Sequence, residues 1–231
     1  RRAEEIVALA DKTKDDLQHR EEQLTGNVAV GSGELQSSSF LTQLLTAFQE
    51  KNPLVSFTIY SGNSDNIKER IERGLLDVGL LQEPVDISKY SFVRTPCREQ
   101  WGVLVREDSE LASRERVSPA DLASVPLILP EREIVQNELL NWFGPYAEGL
   151  RITATGNLLY NLASLARASG GSVLTLNLDC TYEGLRFIPL SPPLESNTVL
   201  VWKKTQTFSA AAAALIEFSE KYISGMEQNL I

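Results

Sequence analysis

The sequence predicts an α/β protein of two lobes with a cleft between them. Three observations carry that prediction. Residues 26–84 alternate strand, helix, strand, helix, strand and close on "DVGLLQEP" (77–84), whose apolar run suits a parallel strand covered on both faces. Residues 118–178 repeat the α/β theme in new elements without repeating the sequence. Extended segments near Pro84 to Pro96 and near Ile188 to Ser196 join the two sets, so a last strand and helix return to the first. The expected division is lobe I at 26–91 and 189–231 and lobe II at 92–188, after a helix at 1–25.

The leading helix rests on Ile6, Leu9, Ala10, Thr13, Leu17 and Leu24, spaced by threes, fours and sevens among charges. Ala10, Leu17 and Leu24 lie one heptad apart, a narrow stripe suited to a partner helix, although packing on its own domain is the alternative. No cap precedes Arg1, so the helix is expected to enter from a segment upstream. Asn27 to Gly31 is the first strand. A helix from Ser38 or Ser39 then buries Phe40, Leu41, Leu44, Leu45 and Phe48 and stops at Asn52-Pro53. Residues 54–62 form a second strand, and Asn63 or Ser64 caps a helix carrying Ile67, Ile71 and Leu75. "SPADL" (118–122) is a capping box with Pro at the first helical position. Beyond it "VPLIL", "LRITAT", "SVLTLNL" and "TVLVWKK" read as strands. "EIVQNELLNWFGPY", "NLLYNLASLARASGG" and "SAAAAALIEFSEKYI" read as helices.

Composition excludes several functions. The 231 residues carry a formal charge of −9, so the chain's own surface repels nucleic acid unless a basic stripe intervenes, and "WKKT" (202–205) is the densest basic stretch. No apolar run approaches the roughly 18 residues that span a bilayer, and the first residues do not form a secretory leader, so a cytoplasmic protein without membrane contact is expected. The single histidine, His19, lies in the charged leading helix, which argues against Ser-His-Asp, Cys-His and His-based metal chemistry. Cys97 and Cys180 fit no metal spacing and are expected to be reduced and buried. No cofactor, metal site or catalytic residue is expected.

"GNVAVGSGELQSSSF" (26–40) raises the question of what its Gly/Ser loop holds. Gly26 and Gly31 lead into Ser32 and Gly33, not the Lys and hydroxyl residue of a Walker loop. Gln36 stands where a dinucleotide fingerprint needs its last Gly, and no Gly-x-Ser-x-Gly elbow occurs. What remains is a cluster of hydroxyl side chains at a helix N-terminus, where free N–H groups attract an anion or polar ligand.

"GNVAVG", "FLTQLLTAFQEKNPLV", "SGNSDNIKERIERGLLDVGLL", "REDSELASRERVSPADLASVPLIL", "NLASLARASGGSVLTL" and the terminal "LVWKK" with its helix occur in an order that resembles the regulatory part of LysR-type transcriptional regulators. The resemblance covers essentially the whole chain. It implies a fold like the type-II periplasmic binding proteins, preceded by a linker helix. The family's winged helix-turn-helix is absent from these residues, and the acidic balance fits a basic DNA-reading surface located elsewhere. One departure is local: where the family usually has a Pro, Leu176 and Asn177 follow Thr175. The resemblance also implies a small-molecule effector between the lobes. It further implies a homodimer or homotetramer pairing lobe I of one chain with lobe II of another, through a helix near Phe40 to Gln49 and a lobe II helix. A solute-binding protein of the periplasmic type is the alternative, and an enzyme on the same scaffold would have to work with carboxylates or Lys alone.

Effector contacts are expected at the carboxyl ends of strands, where open α/β sheets hold ligands. Lobe I offers Gln36, Ser37 and Ser38 after the first strand and Asn63 and Ser64 after the second; Asn63 stands where family members often carry an effector-contacting Thr or Ser. Lobe II offers Leu129, Glu131 and Asn157. Converging helix N-termini suit a carboxylate or another polar molecule, whereas a Glu131 facing the cleft would favour a cationic or hydroxylated one. Ser38, Ser64 and Asn157 also suit plain caps, and Glu131 a solvated loop acid.

Overall fold

The computed structural model describes residues 24–228. Residues 1–23 of the helix expected over 1–25, with His19, lie outside the described residues, and Leu24 and Thr25 at its expected end are not helical. Lobe I begins with β1 (Gly26–Ser32), α1 (Ser38–Lys51), β2 (Val55–Ser61), α2 (Ser64–Glu72) and β3 (Val78–Gln82). All three strands are parallel, in the order β2-β1-β3. β3 is buried along its whole length, as its apolar run predicts. Its period-two alternation sends Val78 and Leu80 to one core cluster, shared with α1, and Leu81 to another, shared with Ile67 and Ile71 of α2. Gly31 and Gly79 let α2 lie close on the sheet: a Cβ at either would stand 2.7 or 2.6 Å from Ile67 Cγ2.

β4 (Tyr90–Arg106) then leaves lobe I as one long strand. Its first part pairs antiparallel with β9 (Glu195–Lys203), and its second part pairs with β7 (Ser172–Leu176) and β8 (Leu185–Pro189). The register breaks between Arg94 and Arg98, around Pro96, which has no N–H to give a ladder. Lobe II adds α3 (Pro119–Leu122), β5 (Pro126–Pro130), α4 (Glu133–Phe143), β6 (Arg151–Gly156) and α5 (Leu159–Ser169). The capping box on α3 forms as read, Ser118 with Asp121. The strands run β2-β1-β3-β9-β4-β7-β5-β6, with β8 also on β4, so β4 and β9 are the two crossing strands. α6 (Ala210–Gln228) returns to lobe I, where Phe218 and Tyr222 meet Phe48 and Phe40 of α1.

β8 (Leu185–Pro189) is a strand that the sequence does not predict, its last two residues falling in the expected connection, and β9 starts at Glu195 rather than Thr198. Cys180 is exposed rather than buried, while Cys97 is half-buried with its thiol pushed up by desolvation. Among the described residues, no helix is long and apolar enough to cross a membrane, and no group of three or more His, Cys, Asp or Glu could hold a metal ion.

Glu138 on α4 has a buried Oε2 with no partner, and desolvation pushes its carboxyl above the ordinary value. A folded value above the unfolded one makes the stabilising contribution full at acid pH, and it is lost as pH rises through the folded value. Glu138→Gln is therefore expected to raise the neutral-pH melting temperature and to flatten the decline from acid to neutral pH. Thermal melts at both pH values check this; a variant that melts lower at neutral pH refutes it.

Candidate functional site

A cavity of about 100 Å³ lies between the lobes, at the carboxyl ends of β1, β2, β3, β5, β6 and β7. Lobe I supplies the Gly33–Leu35 loop, residues 62–64 and Gln82; lobe II supplies residues 130–132, 156–159 and 174–176. Trp101 of β4 forms the wall between them, held by Nε1–H donating to Ser196 Oγ at 2.9 Å.

The N-termini of α2 and α5 line the cavity and that of α1 follows its Gly33–Leu35 loop, and the protein's own side chains occupy all three. At α2, Asn63 Oδ1 accepts from the N–H of Asp65 and of Asn66, both at 3.0 Å, and Asn66 returns the bond to Asn63 N–H. At α1, Ser37 takes the cap position without a side-chain bond; the fully buried carboxylate of Glu99 accepts the N–H groups of Gln36 and Ser37 at 2.9 Å each. At α5 the cap position is Leu158, not Asn157, and the carboxylate of Glu34 crosses from lobe I to accept Leu159 N–H.

Further contacts join the lobes directly. Asn63 Nδ2 donates to Glu131 Oε1 at 3.0 Å, and Gln36 Nε2 donates to the Asp179 carboxylate. Arg132, buried at the start of α4, donates from Nε to Asp65 Oδ2 at 3.1 Å and from Nη2 to the Pro84 carbonyl at 3.3 Å.

Of the eight expected contact residues, Asn63, Ser64, Glu131 and Asn157 line the cavity. The other four do not. Gln36 reaches Asp179 outside the lining, Ser37 is buried, Ser38 Oγ stands 3.1 Å from both Ser32 Oγ and the Gly33 carbonyl, and Leu129 is 1% exposed in the core. Glu34, Gln82, Glu99 and Arg132 were not singled out from sequence. The one cue for Glu99 was its place on the inward phase of β4, with Thr95 and Trp101. For Glu34, Gln82 and Arg132 the cue was their position at strand ends.

The family described as LysR substrate binding domain matches residues 21–223. The chain belongs to this family. Its fold agrees with that of other LysR domains. The effector binding domain of QuiR in complex with shikimate superposes with TM-score 0.73 at 16% identity, covering 87% of this chain and 99% of that one. The Synechocystis PCC6803 CcmR regulatory domain in complex with 2-PG gives 0.71 at 14%, with the same coverage. In sequence, an uncharacterized HTH-type transcriptional regulator of Bacillus subtilis, YvbU, is 26% identical over 104 residues, 45% of this chain and 35% of that protein. The matched regions span from 35% to 67% of the length of such HTH-type relatives.

Proposed function

We propose that this LysR domain senses a small polar metabolite held between its lobes and passes occupancy, as a change in lobe and subunit arrangement, to a DNA-binding winged helix-turn-helix elsewhere in the protein. The observation that carries the reading is the interlobe cavity itself, lined by strand ends of both lobes and closed by side chains reaching across it. Occupancy can shift such an arrangement only through different affinity for its two states. Glu34 and Glu131 outnumber Arg132 in the lining, so the lining opposes a carboxylate, and because both carboxylates already accept protein N–H groups it points to an uncharged, hydroxylated ligand rather than a cationic one. The site's role is binding without turnover, in a cytoplasmic regulator rather than a periplasmic solute carrier.

Assembly is part of the proposal: a homodimer or homotetramer with lobe I of one chain against lobe II of another. α1 buries its apolar stripe in its own core; Leu54 and Ile59 by and on edge strand β2, and Ile152, Tyr160 and Leu165 on β6 and α5, are among the exposed apolar residues that such contacts can cover.

Calorimetric titration of hydroxylated metabolites, followed by hydrogen exchange with each binder, tests the proposal. Protection is expected at residues 33–35 and 62–64 together with 130–132 and 156–159. Protection confined to one lobe, or chemical turnover of a binder, defeats it.

A further inference from the structure

We infer that Gln82 is the residue with which this cavity reads its ligand, its side-chain amide donating to an acceptor oxygen on a small uncharged molecule. The inference rests on the proposed function of the cavity and adds the ligand's chemistry. Gln82 ends β3 with its backbone held on both sides. Its N–H and C=O lie 3.3 and 3.4 Å from Ser64 Oγ, and the residue pairs with Thr198 of β9. Gln82 is among the residues lining the cavity and is only 9% exposed, and its Nε2 is buried without a hydrogen-bond partner.

Of the other polar groups named in the lining, Asn157 is exposed to solvent and the charged ones are engaged. Glu34 holds Leu159 N–H, Glu131 holds Asn63, and Arg132 holds Asp65 and the Pro84 carbonyl. Leu35, Trp101, Leu162, Leu174 and Leu176 make the walls apolar. A buried donor left unpaired destabilises the fold, so packing alone gives no reason for an amide there. An acceptor on a bound molecule supplies the missing partner. The two lining carboxylates oppose an anion, which leaves a carbonyl, amide or hydroxyl oxygen on a compact, mostly apolar body.

Replacing Gln82 with Met keeps the length and removes the donor. The purified chain and Gln82→Met are compared by thermal melting and by saturation-transfer NMR with acetamide, glycerol and acetate as probes. Without probe, Gln82→Met is expected to melt above wild type, a result that a structural role for the amide would reverse. Acetamide and glycerol are expected to bind wild type about tenfold more strongly than the variant. A lower melting temperature for Gln82→Met, or equal binding of the neutral probes to both proteins, overturns the role of Gln82. Acetate binding more strongly than the neutral probes overturns the ligand class. If metabolites protect both lobes but bind Gln82→Met as well as wild type, this inference falls and the sensor reading stands. Protection confined to one lobe removes the sensor reading instead.

Discussion

Glu99→Ala is expected to cost roughly 3–5 kcal/mol of folding stability, because it removes a charge-assisted acceptor from two N–H groups, that of Ser37 buried and that of Gln36 half-buried. The Glu99 carboxylate is fully buried and accepts from Gln36 N–H and Ser37 N–H, both at 2.9 Å. Nothing local replaces it, since Ser37 makes no capping bond of its own. The negative charge also faces the positive end of the α1 dipole. At about 2–4 °C per kcal/mol for a domain of this size, the melting temperature should fall by roughly 10 °C. Glu99→Gln keeps one carbonyl acceptor but turns an amide NH₂ towards the second N–H, so it should fall between the two. Urea unfolding measures this directly: a shifted midpoint with unchanged slope is the expected signature. A midpoint within error of wild type would mean that water caps α1 instead. The functional consequence is local, because the loop that Glu99 anchors is the one carrying Glu34 into the cavity.

How far the sequence reveals this architecture depends on how far apart the interacting residues lie. The βαβαβ unit, the Asn63 cap and the Ser118–Asp121 capping box were readable because each is decided within a few residues. β8 was missed because its five residues mix an exposed Arg186 with a closing Pro, and its reason to be a strand is the partner β4, some eighty residues earlier. The same separation explains the site. Asn157 has the chemistry of a cap, but the acceptor at α5 is Glu34, 125 positions away in sequence. Glu99 caps α1 from 63 positions beyond Gln36. Strand ends correctly located the cavity, whereas the side chains that fill it come from tertiary pairing that no spacing rule encodes. Ser38 shows the converse, with a hydroxyl at the right helix end committed to Ser32 and Gly33.

Removing two of the ties between the lobes is expected to open them. Glu34→Ala releases Leu159 N–H, and Arg132→Ala releases Asp65 and the Pro84 carbonyl. The charge-assisted bond from Glu34 is worth roughly 1.5–3 kcal/mol, and the ion pair less, because Asp65 is more than half exposed. Together they amount to about 2–4 kcal/mol, which moves the ratio of closed to open lobes by roughly 30- to 1,000-fold. Asn63–Glu131 and Gln36–Asp179 remain, so the double variant should still fold while spending more time open. Small-angle scattering should then show a larger radius of gyration, and the β4 and β9 amides near the register break at Arg94–Arg98 should exchange faster. Unchanged scattering and exchange would mean that the shared core through Trp101, rather than these polar ties, holds the lobes together. The outcome bears on how a ligand enters. Metabolite sites commonly enclose about 300–1,000 Å³, whereas the cavity here is about 100 Å³. An effector of ordinary size therefore has to meet separated lobes first, and whichever state it then favours inherits the free energy that Glu34 and Arg132 now place on closure.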